Sequence, residues 1–181
     1  MDALRYRFEA GCGWSGLLDR LAGLGHRAAI VGPEGSGKTT LQEELARTLS
    51  DRGAAVRWLR LRRDSRRDGR RLIRELLAGL GPGDLVFVDG AEQLGALAWR
   101  RFVRRTAGCR GLVITTHRPG RLPTLIECRT TPGLLRRLVA ELVPDESGRL
   151  DAALEDLFAR HEGNLRLCLR ELYDVWAGGG L

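Results

Sequence analysis

Residues 32–39 read Gly-Pro-Glu-Gly-Ser-Gly-Lys-Thr, a full match to G-x-x-x-x-G-K-[ST] at Gly32, Gly37, Lys38 and Thr39. The run stands between two regular elements. Before it, Arg27-Ala28-Ala29-Ile30-Val31 is short and apolar and reads as a buried parallel strand. After it, Thr39 to Ser50 reads as a helix, with Leu41, Leu45 and Leu49 on one face and Gly53 just past its end. Glycines let backbone N–H groups turn inward around phosphate oxygens, and the helix that follows points its positive dipole end at them. Lys38 can then reach the β- and γ-phosphates, and the Thr39 hydroxyl can ligate Mg²⁺. The expected phosphate-binding set is Gly32, Pro33, Glu34, Gly35, Ser36, Gly37, Lys38, Thr39 and Thr40, with ATP and Mg²⁺ as the expected ligands.

Composition sharpens this reading at one point. The chain has thirty basic residues, and Lys38 is its only lysine. Arginine spreads its charge over a wide planar fork, whereas lysine is a compact point charge on a slim stem. A chain that uses arginine everywhere except in the phosphate loop keeps the narrower cation where a narrow cradle needs it. The 181 residues suffice for one buried core. No apolar run approaches the roughly 18–20 residues of a membrane helix, and the first residues lack the apolar stretch of a leader. The expectation is a cytoplasmic protein without membrane contact. Cys12, Cys109, Cys128 and Cys168 lack metal-ligand spacing and read as free thiols.

Along the chain, strand-like and helix-like segments alternate. Strands are expected at Ala54–Leu61, Leu85–Asp89, Leu112–Thr116 and Thr124–Cys128, after the one at 27–31. Leu17, Leu18, Leu21 and Leu24 suggest a short helix near 15–24, in an N-terminal segment 1–27. Arg62–Arg71 reads as a charged loop, followed by a helix marked by Leu72, Ile73, Leu76, Leu77 and Leu80. Further helices are expected at Gln93 to about Thr106 and at Leu134–Leu142. After a polar linker at 145–148, two more fall near 150–160 and 165–177. Short strands, apolar on both faces and alternating with helices, imply a parallel sheet covered on both sides. Ligands then bind at the C-terminal ends of its strands. The expected division is an N-terminal segment, a core at 28–143 and a small helical lid at 144–181.

Three further motifs lie where strands or helices meet loops. Leu85-Val86-Phe87-Val88-Asp89 is an apolar strand ending in an acid, the arrangement that holds Mg²⁺ beside a phosphate loop. Glu92, three residues on, can orient or deprotonate water, or it can simply favour a helix start. Thr115-Thr116-His117-Arg118-Pro119 ends the fourth strand, where Thr116 or His117 can sense a γ-phosphate; Arg118 and Arg121 can contact phosphate too. In His161-Glu162-Gly163-Asn164-Leu165-Arg166, Asn164 is a good N-cap. Arg166, in the first turn, opposes the helix dipole and is a candidate nucleotide contact.

Together these residues resemble the additional-strand branch of phosphate-loop NTPases, specifically the AAA+ and STAND groups, over about residues 28–177. Val88-Asp89-Gly90-Ala91-Glu92-Gln93-Leu94 is similar to the Walker B motif of NACHT-type ATPases. Ile114 to Pro119 resembles a sensor-1 strand end, and Gly163-Asn164-Leu165-Arg166 is similar to the sensor-2 segment of the origin-recognition and ExeA type. The resemblance implies a three-layer α/β/α fold with a five-stranded parallel sheet in the order 5-1-4-3-2 and a small C-terminal helical lid. It departs in three ways. Gly90 stands where most AAA+ proteins carry the Walker B glutamate, the stretch 118–123 leaves little room for a helix ending in an arginine finger, and the lid is reduced to about two helices.

The function expected from all this is an ATP-binding protein, an Mg²⁺-dependent ATPase acting as a nucleotide switch on a protein partner, with Glu92 and Lys38 as catalytic residues. A nucleotide or small-molecule kinase on the same loop is one alternative. The other is an ATP-dependent nucleic-acid-binding protein. Nine arginines between Arg57 and Arg74, offset only by Asp64 and Asp68, are the stripe such a protein would use.

Overall fold

A computed structural model of the chain describes residues 5–8, 13–62, 66–143 and 151–178. The chain forms two compact units. One consists of Arg5–Val31 and Lys38–Glu127, the other of Gly32–Gly37 with Cys128–Leu181. The linker expected at 145–148 lies outside the described residues.

The first unit is built on a five-stranded sheet: β1 (Arg27–Val31), β2 (Ala55–Arg60), β3 (Asp84–Asp89), β4 (Gly111–Thr116) and β5 (Thr124–Glu127). The order is β2-β3-β4-β1-β5 and every pairing is parallel, the 5-1-4-3-2 arrangement that the resemblance implied. Strands β1 and β4 lie side by side in the middle, with Ile30 opposite Thr115 and Val31 opposite Thr116. The side chains of β4 are buried throughout, and those of β3 are buried up to Val88. A strand between two neighbours in a sheet covered on both faces has no solvated side, which is why these segments are apolar runs without alternation.

Helix α1 is Trp14–Gly23, α2 is Lys38–Asp51, α3 is Arg66–Ala78 and α4 is Ala96–Arg105. Helix α2 packs along β1 to β4 and buries Leu41, Leu45 and Leu49. Ile73, Leu76, Leu77 and Leu80 pack with Trp99, Phe102 and Val103 against Leu59, Val86, Val88, Leu112 and Ile114. Helices α3 and α4 therefore share one face of the sheet.

Two helix starts differ from the sequence expectation by three residues or more. Helix α3 begins at Arg66, inside the stretch read as a loop. Arginine is a good helix former, and the one interior glycine, Gly69, costs only about 1 kcal/mol relative to alanine. The helix expected from Gln93 is instead a single 3₁₀ turn, Ala91–Gln93, followed by α4 from Ala96. Leu94 adopts an extended conformation and is buried, and Gly95 caps α4 without a side chain. Burial of Leu94 in the core takes the chain out of helical geometry there.

The second unit contains the loop 32–37 and helices α5 (Pro132–Leu142), α6 (Asp151–Arg160) and α7 (Leu165–Ala177). Leu135, Leu138 and Val139 pack with Leu154, Leu157, Leu165 and Cys168 in a core of their own. Thr131 caps α5 by accepting from the Leu134 N–H at 3.1 Å, with Pro132 in the first turn. Among the described residues, Cys109, Cys128 and Cys168 are free thiols and no helix is long and apolar enough to cross a membrane.

Candidate functional site

In the sheet unit, three side chains meet where β3, β4 and α2 come together. The Thr115 hydroxyl donates to Asp89 Oδ1 at 2.6 Å and accepts the Gly90 N–H at 2.9 Å. The Thr39 hydroxyl donates to the same carboxylate, at 3.2 Å to Oδ2 and 3.4 Å to Oδ1. Asp89 ends β3, Thr115 lies one residue from the end of β4, and Thr39 is in the first turn of α2. One carboxylate and a hydroxyl, at the helix start that follows the glycine loop, form a hard-oxygen donor set of the kind Mg²⁺ takes when phosphates supply its remaining ligands. Among the described residues no group of three or more His, Cys, Asp or Glu gathers into a metal cage. A phosphate-linked Mg²⁺ needs none.

Gly90 has φ +80°, and a Cβ there would meet the Leu61 carbonyl oxygen at 2.5 Å. Position 90 thus requires glycine, and a glutamate directly after Asp89 is sterically shut out. Glu92 sits in the 3₁₀ turn instead, with Oε1 3.2 Å from His117 Nε2. Its Oε2 is buried without a hydrogen bond. The Arg121 guanidinium donates to the Leu94 carbonyl at 2.6 Å and lies 5.0 Å over the Trp99 ring. Burial lowers the Arg121 pKa, and the Glu92 charge opposes that shift. Arg121 thus braces the turn that carries Glu92. Thr116 is buried, and its hydroxyl donates to the Arg118 carbonyl at 2.8 Å, closing the bend after β4. Of the two adjacent threonines, it is Thr115 that touches Asp89.

Gln42 is the residue that sequence reasoning passed over. It is fully buried, and its amide nitrogen donates to the Val88 carbonyl at 3.1 Å and the Val113 carbonyl at 3.2 Å. These carbonyls precede Asp89 by one residue and Thr115 by two. One carboxamide therefore ties α2 to both strands that carry the polar cluster. The clue in the sequence was a polar residue between Leu41 and Leu45 on the buried side of an amphipathic helix.

In the other unit, the loop 32–37 is held by close approaches. Gly35 and Gly37 have φ +72° and +83°. Ser36 is buried and donates to the Pro33 carbonyl at 2.8 Å. A Cβ at Gly32 would come within 2.5 Å of the Cys128 carbonyl oxygen. A Cβ at Gly35 would run into the Asn164 carboxamide oxygen. Asn164 is also the N-cap of α7, accepting from the Leu167 N–H at 3.2 Å. The loop apex thus abuts the start of α7. Arg166, two residues into that start, is exposed, and the first turn contains no acid. Beyond the loop, Lys38 is buried at the start of α2, and Thr40 is half-buried.

No known family profile matches the chain, and no curated protein matches its sequence. Its fold is similar to that of a solved structure described as a DNA replication initiation factor, with a TM-score of 0.59 and 13% identity. The likeness covers 94% of this chain and 64% of that one. At that identity the likeness speaks to the fold.

Two outcomes follow from the packing. Gln42→Glu will destabilise the fold more than Gln42→Leu, because it sets acceptor oxygens against two carbonyls. Losing the bonds alone is worth about 1–3 kcal/mol; urea melts of the two variants check the order, and equal midpoints would refute it. Gly35→Ala will destabilise the chain and cost less in an Asn164→Ala background than in the parent, because part of the cost is the clash with Asn164. Contacting residues couple by about 0.5–3 kcal/mol in a double-mutant cycle. A coupling of zero would mean that loop and cap do not touch.

Proposed function

We propose that the chain binds Mg²⁺-ATP and acts as an ATPase of AAA+/STAND type, using nucleotide occupancy to bias its C-terminal helices. The observation that carries this reading is the Thr39–Asp89–Thr115 cluster, at the ends of two neighbouring strands and at the helix start that directly follows a complete phosphate-loop motif. The hard-oxygen donors fit Mg²⁺, and Gly35 and Gly37, both at positive φ, give the loop the backbone turns that only glycine adopts readily.

In this reading the N–H groups of 32–37 and the Lys38 ammonium hold the β- and γ-phosphates, while Thr39 and Asp89 hold the metal. Bound Mg²⁺ neutralises charge on the phosphates. Thr115 and Gln42 keep the Asp89 strand end in place. Glu92 is the water-positioning carboxylate, because Gly90 has no room for a side chain. Its bond to His117 gives that histidine a part in aiming the carboxylate. Arg166 is proposed as the lid residue that senses phosphate, supported by the packing of the α7 cap on Gly35. A ligand that meets Arg166 in only one lid position shifts the lid by its differential affinity for the two positions.

Lys38→Ala will weaken ATP binding at least about tenfold in calorimetry while the fold persists, since a hydrogen bond to a charged group is worth about 1.5–3 kcal/mol. Unchanged affinity would remove the loop from the site. Glu92→Gln will bind ATP like the parent and hydrolyse it about a hundredfold or more slowly, the range for loss of a general base. An unaltered turnover rate would reduce Glu92 to a helix-start acid.

A further inference from the structure

The arginine-rich stretch that stands out in the sequence, 57–74, is not one surface in the structure. Its first part lies on β2 and is neutralised there. Arg57 pairs with Asp84 at 3.3 Å, and Arg60 pairs with Glu43 at 2.6 Å and lies over Trp58. Its second part is the start of α3, and α3 shares a sheet face with α4. Helix α4 reads Ala-Leu-Ala-Trp-Arg-Arg-Phe-Val-Arg-Arg and contains no acid. It was absent from the sequence stripe because the seventeen residues 79–95, β3 among them, separate it from α3 in the chain.

Together the two helices carry nine arginines, at 66, 67, 70, 71, 74, 100, 101, 104 and 105, against two acids, Asp68 and Glu75. The rest of the chain is balanced, with twenty-one basic residues and twenty-one acidic. The formal net charge of +7 is therefore the charge of these two helices. A compositional preference for arginine would spread an excess over the whole surface; here it is concentrated on one side of one sheet. Arg70, Arg71, Arg74, Arg100, Arg101, Arg104 and Arg105 are all exposed. Among the described residues only Arg71 of these seven has an acidic partner, Glu75 at 3.4 Å.

We infer that the α3–α4 face binds the phosphate backbone of double-stranded DNA, without reading sequence. Charge complementarity points to the class of partner: six exposed guanidinium groups without an acidic partner, on two helices that share a sheet face, suit a polyanion that carries a phosphate at every step. The aromatic residues decide between duplex and single strand. Single-strand binding uses exposed rings on which bases stack. Trp99 and Phe102, the aromatics of α4, are turned into the core, with rings stacked at 6.3 Å and Arg121 over Trp99. The face offers cations and no stacking surface. It uses none of the residues assigned to nucleotide, so it stands or falls separately from the ATPase reading.

The test is fluorescence anisotropy of the full chain with labelled 20-base-pair duplexes of two unrelated sequences, across a salt series. The expected result is binding to both duplexes alike, with log K falling linearly with log salt by about 0.9 per phosphate contacted. In the variant R70A/R74A/R101A/R104A, affinity at low salt will fall at least tenfold and the slope will shrink by about three to four, in line with the contacts removed. ATP affinity and thermal midpoint in this variant will match the parent, which separates loss of the surface from loss of the fold. Removing two exposed arginines elsewhere, R52A/R137A, will change duplex binding little. The inference is overturned if the quadruple variant binds duplex like the parent. It is also overturned if single-stranded DNA or poly-glutamate of equal charge binds as tightly as duplex.

Discussion

The Asp89 carboxylate is the point on which the arrangement turns. It ends a strand buried on both sides, and it accepts hydroxyls from a second strand and from the helix that follows the glycine loop. A carboxylate at the rim of an apolar sheet needs such partners, because burying charge without them is costly. The sheet order β2-β3-β4-β1-β5 sets β3 beside β4, which brings Thr115 to Asp89. The crossover from β1 then lays α2 over the sheet, and Thr39 arrives in its first turn. Gln42 fastens the same helix to both strands from below, so that three elements share one small polar cluster inside an apolar layer.

The same constraint explains the departure at position 90. The chain leaves β3 through a left-handed glycine pressed against the Leu61 carbonyl, and the Gly90 N–H turns back to Thr115. The next acid available is Glu92. His117, just past the end of β4, meets it, and Arg121 supports the turn from beneath. The segment after β4 is too short for a helix of its own, and of its two arginines Arg121 serves the core of this chain.

What could be read in the sequence follows what is local. The phosphate loop, the apolar strand ending in Asp89 and the Asn164 cap are contiguous patterns with a physical reason at each position, and each lies on the element expected. The strand order came from the resemblance that those motifs carry. Other features depended on contacts that no local pattern records. Thr115 and Thr116 are adjacent in a strand buried on both sides, so alternation gives no clue to which one turns toward Asp89. Gln42 reads as a flaw in an apolar face until the two carbonyls above it are known. The split between the 3₁₀ turn and α4 rests on burial of Leu94. The basic face exists only because two helices distant in sequence lie on the same side of the sheet.

The central claim is that one polar cluster and one glycine loop serve a single Mg²⁺-nucleotide. The most direct test is isothermal titration of the intact chain with ATP, first with Mg²⁺ and then with EDTA in its place. The account predicts binding of one ATP per chain, distinctly tighter with Mg²⁺, because Thr39 and Asp89 contribute only through the metal. Equal affinity with and without Mg²⁺, or no binding in either case, would contradict it.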